Sequence, residues 1–310
     1  MTPSLTTLAA GSLRAPRPSS TLAFGSLRAP RRLLAPRRFD VLPGFAPALG
    51  FSLFYLGLLV LIPLGSVFLK AYDLSLGEFL ATITSARALA AYRLSFGASL
   101  AAAGVNTVFG LLVAWVLVRY SFPGRRIANA LVDLPFALPT AVAGIALTAI
   151  FAHTTPVGAW LDATFGLRVA YTPIGVWLAL VFVSSPFVIR TLEPVLRDLD
   201  AELEDAAELL GASRLQTLRR VVLPVLAPAL LTGFTLAFAR ALGEYGSVVF
   251  ISGNMPMRTE IAPLLIMTKL EQYDYAGASA IAVAMLIVAF ALLFGINTFQ
   301  RAVARRYGAA

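Results

Sequence analysis

The residues able to do chemistry are few, and the missing types narrow the field. The chain has no cysteine and a single histidine, His153, which excludes disulfides, thiolate nucleophiles and histidine-rich metal sites. Its lysines, Lys70 and Lys269, follow Leu69 and Thr268. A phosphate-cradling P-loop needs glycine directly before its lysine, so this chain does not carry one. Three polar residues stand out in apolar surroundings: Arg240, Glu244 and Ser247. Arginine and glutamate four apart share a helix face, and the serine follows about a turn later. An arginine at mid-membrane costs about 2.5–3.5 kcal/mol on insertion scales, so it has to meet a partner or a watery cavity. Two readings stand. Arg240 offers transient charge to a passing anion while Glu244 holds it in place, or the two form a neutralised pair tying the helix to its neighbours. The acidic run Asp198, Asp200, Glu202, Glu204 and Asp205 raises the possibility of a divalent-metal site in a membrane enzyme. Helical spacing spreads these residues over more than one face and no second acidic cluster faces them, so that reading lacks support.

The elements that position these residues are membrane helices. The chain is 58% hydrophobic and 13% charged, against about 25% charged in soluble domains. Six apolar stretches, 46–69, 95–118, 131–152, 174–189, 225–250 and 278–298, each approach the ~20 residues that cross a bilayer, and backbone satisfaction in lipid makes them helical. The expected fold is therefore all-α and integral to the membrane. Pro135 and Pro139 are expected to break or kink the third span, Gly97 and Gly104 to allow close helix approach in the second, and Asn106 to bond between helices. Eighteen lysines and arginines fall in segments 1–44, 119–126, 190–223 and 299–310, against six in the alternate segments. This asymmetry places both termini and the 190–223 loop in the cytoplasm. The net charge of +9 is thus a topology signal, and nucleic-acid binding loses its main support. Trp160, Tyr171 and Trp177 read as anchors at the outer interface, with His153 nearby.

Residues 1–44 hold seven arginines and the repeated segment GSLRAPR at 11–17 and 25–31. They read as a basic, low-complexity cytoplasmic tail with too little to bury for folding. The same composition fits a transit peptide, which would place the protein in a plastid envelope. Residues 45–300 then form the transmembrane domain, with a coupling loop at 190–224 and a short cytoplasmic tail at 301–310.

The stretch from Asp198 to Pro228 is the longest charged segment between apolar ones. Leu199, Leu203, Ala206, Ala207 and Leu210 form one apolar stripe on an acidic helix. Gly211 sits where a left-handed C-cap belongs, and Ser213 with Gln216 offers a capping box for a second, basic helix that Pro224 is expected to interrupt. An amphipathic helix between two spans has an apolar face with nothing of its own chain to cover it.

This segment resembles the cytoplasmic "EAA" loop of ATP-driven importer permeases. Asp205, Ala206, Ala207, Gly211, Leu223 and Pro224 match its pattern at the right spacing, with Asp205 standing for the family's glutamate. In residues 243–266, GEYGSVVFISGNMPMRTEIAPLLI, and in LPFALPTAVAGIALT of the third span, the chain is similar to the T (or U) type sulfate/thiosulfate permeases. The resemblance covers roughly 45–300. It implies a type I importer permease with six transmembrane helices and a cytoplasmic coupling helix, importing sulfate and thiosulfate across a bacterial inner membrane. It also implies a second, homologous permease subunit forming a heterodimer, two ATP-binding subunits that carry ATP and Mg, an extracytoplasmic sulfate-binding protein, and surrounding membrane lipid. No catalytic residue, cofactor or metal is expected on this chain. The alternatives are a molybdate or tungstate permease of the same class and an ion-coupled secondary anion transporter.

Overall fold

The computed structural model describes residues 45–306; the tail assigned to 1–44 and the last residues of the C-terminal tail lie outside them. The chain divides into a unit Met1–Leu53 and a unit Phe54–Ala310. The described part of the first is the start of helix α1 (Phe45–Leu56). In the second unit follow α2 (Ile62–Ala71), α3 (Leu76–Ile83), α4 (Ala86–Arg119), α5 (Arg125–Ala137), α6 (Thr140–Phe151), α7 (Pro156–Phe165) and α8 (Pro173–Arg197). They continue with α9 (Ala201–Leu209), α10 (Arg214–Thr217), α11 (Leu223–Leu242), α12 (Gly246–Ile251), α13 (Ala262–Glu271) and α14 (Tyr275–Arg306).

Among the described residues, five helical runs are long and apolar enough to cross a membrane: Pro47–Ala71, Ala86–Arg119, Pro173–Arg197, Arg214–Leu242 and Tyr275–Ala302. The third apolar stretch is the sixth only if α5 and α6 count as one span, for they meet at 113°. The break falls at Pro139, as its missing N–H and its effect on the preceding residue dictate. Pro135 is accommodated inside α5.

Long helices α4, α8 and α11 form the frame, each packed against the other two. Val188, Leu192, Leu196, Leu226 and Phe238 fill its interior. Gly110 on α4 and Gly233 on α11 both bring their backbones onto Val188 of α8: a Cβ at Gly110 would sit 2.8 Å from Val188 Cγ1. Gly97 and Gly104, expected at such contacts, have open space around them. The correction has a simple cause, since helix contact depends on which face a small residue occupies and not on its presence in the span. Asn106 does bond between helices, its Nδ2 donating to Val181 O and Ser184 Oγ, both at 2.9 Å.

Several boundaries differ from expectation: α4 begins at Ala86, not 95, and α5 at Arg125, not 131, and others differ through proline chemistry or a hidden break. The fourth span runs to Arg197, not 189, because α8 carries Pro186 and Pro194 internally. The Phe182 carbonyl that Pro186 cannot serve accepts from Ser185 Oγ at 2.9 Å. Pro224 does not interrupt its helix either. The turn Leu218–Val222 just before it is widened to a π-turn, which moves the carbonyl four residues back out of the ring's way. Pro63 follows the π-turn Gly57–Leu61 in the same manner. Within the loop assigned to 190–224, the segment between Arg197 and Arg214 holds α9 and its caps. Lastly, the fifth span ends at Leu242, not 250: Gly243–Tyr245 break the helix before α12.

Candidate functional site: a coupling loop and an intramembrane junction

The coupling segment is built from local signals. Asp200 takes the N-cap position of α9 without a side-chain bond. At the other end Gly211 has φ +80°, and the chain reverses through two bonds, Gly211 N–H to Glu208 O at 2.8 Å and Ala212 N–H to Ala207 O at 3.0 Å. This is the Schellman arrangement, and glycine meets no Cβ penalty in it. Ser213 and Gln216 then form a reciprocal capping box that starts α10. Of the predicted coupling residues, Ala207 is buried, Asp205, Ala206 and Gly211 are exposed, and Leu223 and Pro224 are half-buried at the start of α11.

The apolar stripe is split between two environments. Leu199 and Ala207 turn inward at 6% and 8% exposure, while Leu203 stays 45% exposed. Leu209 and Leu210 are each 89% exposed, adjacent leucines at the tip of a turn. Arg119, in the last turn of α4, holds the helix from behind: its Nη2 donates to Glu204 Oε1 at 2.5 Å. The Arg119 guanidinium also lies 5.4 Å from the centroid of the Trp115 ring. Between α4 and the α9–α10 turn opens a groove of about 610 Å³, lined among others by Leu112, Trp115, Glu208, Arg214 and Leu218. The Arg119–Glu204 clasp, joining positions 85 apart, was not expected; the only hint is a cation in the last turn of a helix, where the dipole favours one.

Arg240, Glu244 and Ser247 do come together. Arg240 Nη1 donates to Glu244 Oε2 at 2.6 Å. The other carboxylate oxygen accepts from Ser247 N–H at 2.8 Å and Ser247 Oγ at 2.9 Å. Glu244 is 1% exposed, while the Arg240 side chain is 31% exposed. Glu244 thus bonds across the helix break, tying the end of α11 to the first turn of α12. Ser247 is not on the helix face shared by Arg240 and Glu244, as the spacing suggested; it belongs to α12. The arrangement neutralises both charges and leaves further guanidinium donors of Arg240 on its open side. Pro224 and Arg240 stand near opposite ends of α11, about 24 Å apart along its axis; of the coupling candidates only Leu223 and Pro224 share that helix, the others lying on α9 and its cap.

Two further ion-pair groups were not legible from spacing. Arg87 grips Glu260 with two bonds, 2.8 and 2.7 Å, and Glu260 is 2% exposed. Arg190 holds Asp133 bidentately at 2.8 and 2.6 Å and Glu193 at 2.7 Å, tying α5 to α8. Among the described residues no cluster of three or more His, Cys, Asp or Glu side chains could hold a metal ion.

Comparison with known proteins adds the following. Residues 106–309 match the family described as "Binding-protein-dependent transport system inner membrane component". The "Probable sulfate transport system permease protein cysT" of Nephroselmis olivacea is 50% identical over 249 residues, spanning 80% of this chain and 87% of that protein. The "Sulfate transport system permease protein CysT" of Escherichia coli (strain K12) is 47% identical over 266 residues, 86% of this chain and 96% of that protein. Among solved structures, a chain of the "bacterial alginate ABC transporter in complex with alginate pentasaccharide-bound periplasmic protein" superposes with a TM-score of 0.66 at 17% identity. That superposition covers 83% of this chain and 94% of the other, a likeness of fold.

Proposed function

The chain belongs to the family of binding-protein-dependent transport system inner membrane components, and from that membership we propose that it is the permease subunit of an ATP-driven sulfate importer. The observation that carries the cargo is the 47–50% identity to sulfate permeases over four-fifths or more of the chain. Thiosulfate, of the same shape and charge, is the expected second substrate.

The proposed mechanism is alternating access. Two separate ATPase subunits bind ATP and Mg and close together. Their movement reaches this chain through α9, whose exposed Leu209 and Leu210 seat in the ATPase. Arg119 and the Leu199 anchor pass the push to α4 and α8, so the three-helix frame moves as a body. A second, homologous permease completes the pathway, and a sulfate-binding protein delivers cargo from the far side. Both termini and α9 lie in the cytoplasm of a bacterium, a topology supported by the eighteen-to-six distribution of lysine and arginine. Arg240 offers a passing dianion a positive edge while Glu244 holds the guanidinium in place.

The test is uptake of labelled sulfate in cells lacking the gene, with and without a plasmid copy. Loss on deletion and return with the plasmid is the expected outcome. Unchanged sulfate uptake with molybdate uptake lost would overturn the cargo and keep the architecture.

A further inference from the structure

The last turn of α4, the start of α5 and the last turns of α8 converge at one end of the frame. They border an open cavity of about 290 Å³ lined by Leu117, Arg125, Arg126, Asn129, Glu193 and Arg197, with the three arginines exposed to solvent at its edge. Its charge is unbalanced. Glu193, with a side chain only 7% exposed, is shared by Arg190 at 2.7 Å and Arg197 at 3.3 Å. Asp133 is taken by Arg190. Three lining arginines thus face one carboxylate, itself already engaged, and neither Arg125 nor Arg126 has an ion-pair partner among the described residues.

Positive-inside bias explains arginines on this side of the membrane, but not their position. Arg125 and Arg126 occupy the first turn of α5, which has no acidic residue and no side-chain cap. Cations there oppose the helix dipole, and any place in the preceding loop would have served topology equally well. The cavity combines an excess of positive charge, a planar-fork donor set suited to oxyanions, and a rim at three helix ends.

We propose that this cavity binds a tetrahedral oxyanion, supplied either by the phosphate of an anionic phospholipid headgroup or by free sulfate or phosphate. The anion bridges Arg125 and Arg126 of α5 to Arg197 of α8, reinforcing the link that Arg190 and Asp133 make between the same helices. Its cytoplasmic location rests on the topology given above; the binding itself needs no transport.

The test uses the full-length chain in lipid nanodiscs, read by lipid retention in native mass spectrometry and by binding of labelled sulfate. Discs of phosphatidylcholine alone are compared with discs containing phosphatidylglycerol, and sulfate is titrated at constant ionic strength. R125Q/R126Q is expected to weaken anion retention about thirtyfold, while R125K/R126K retains most of it and R301Q changes nothing. Retention of phosphatidylglycerol with no sulfate binding that depends on Arg125 and Arg126 identifies the lipid source; sulfate binding in phosphatidylcholine discs that R125Q/R126Q removes and R240Q does not identifies the free ion. Equal retention by the wild type and by a folded R125Q/R126Q protein overturns the proposal, even if sulfate transport is confirmed. Loss of transport on other grounds leaves this binding readout intact.

Discussion

The tip of α9 and the α11–α12 junction are both breaks in helix, yet they are finished to different degrees. At the junction every strong group has an internal partner: Glu244 accepts three bonds from Arg240 and Ser247 and is almost wholly buried. At the α9 tip the backbone is equally well satisfied by the Schellman and capping-box bonds, but two leucines stand 89% exposed. Exposing both leaves unclaimed about 1.5–3 kcal/mol per side chain. A rigid backbone presenting uncovered apolar side chains is shaped for a partner; a closed ion-pair junction is shaped to hold. The helical run Arg214–Leu242 begins just after the α9 tip and ends at the junction.

The contrast can be broken in graded ways. The largest expected effect is at the junction. Glu244→Ala leaves the Arg240 guanidinium and the Ser247 N–H without their acceptor and should cost about 3–5 kcal/mol, read as a drop in the melting temperature of the detergent-solubilised protein. Adding Arg240→Met should recover part of that loss, because an unpaired charge is then no longer left behind. At the α9 tip the balance is reversed. Leu209→Glu with Leu210→Glu should change stability by less than about 0.5 kcal/mol, yet weaken capture of the ATPase subunit at least tenfold. A single protein in which both the melt and the capture fall together would erase the distinction.

Gly211→Val is intermediate. No neighbour stands within 4 Å of the added Cβ, but φ is +80°, so the cost is conformational, about 1–2 kcal/mol for a left-handed residue and more for a branched one. It should reorient the tip and reduce coupling while the spans stay folded, as protease resistance of the membrane fraction would reveal. The smallest effect is at the Asp274 turn before α14. The Lys269 ammonium, and then the Gly277 N–H, hold the Asp274 carboxyl below its usual range. A depressed pKa gives stability that is present above the ordinary carboxylate range and is lost as pH falls through the lowered value. Asp274→Asn should therefore lower the melting temperature slightly at neutral pH, by about 0.5 kcal/mol at most for so exposed a pair. The difference should vanish in strong acid.

Legibility followed the range of the interaction. The Gly211 cap, the Ser213–Gln216 box and the Pro139 break were readable because each is written within four or five residues. The Arg240–Glu244 pair was readable for the same reason. What eluded the sequence joins distant positions: Arg119 with Glu204, Arg190 with Asp133, and Arg87 with Glu260, the last 173 residues apart. Span ends were misplaced where local rules had compensation, as at Pro186, whose orphaned carbonyl is met by Ser185, and Pro224, which follows a widened turn. The apolar run through residue 250 concealed the Gly243–Tyr245 break, since hydropathy does not register a change of direction. Gly97 and Gly104 misled because composition cannot say which face a residue takes, whereas Gly110 earned its contact through the position of Val188.

The central claim, a sulfate permease driven through the leucine tip of α9, is tested most directly by complementation. Labelled sulfate uptake is measured in cells lacking the gene and supplied with either the wild-type chain or L209E/L210E, at matched amounts in the membrane. The account predicts that the wild type restores uptake and the double variant, though inserted and folded, does not. Full uptake with L209E/L210E would contradict it.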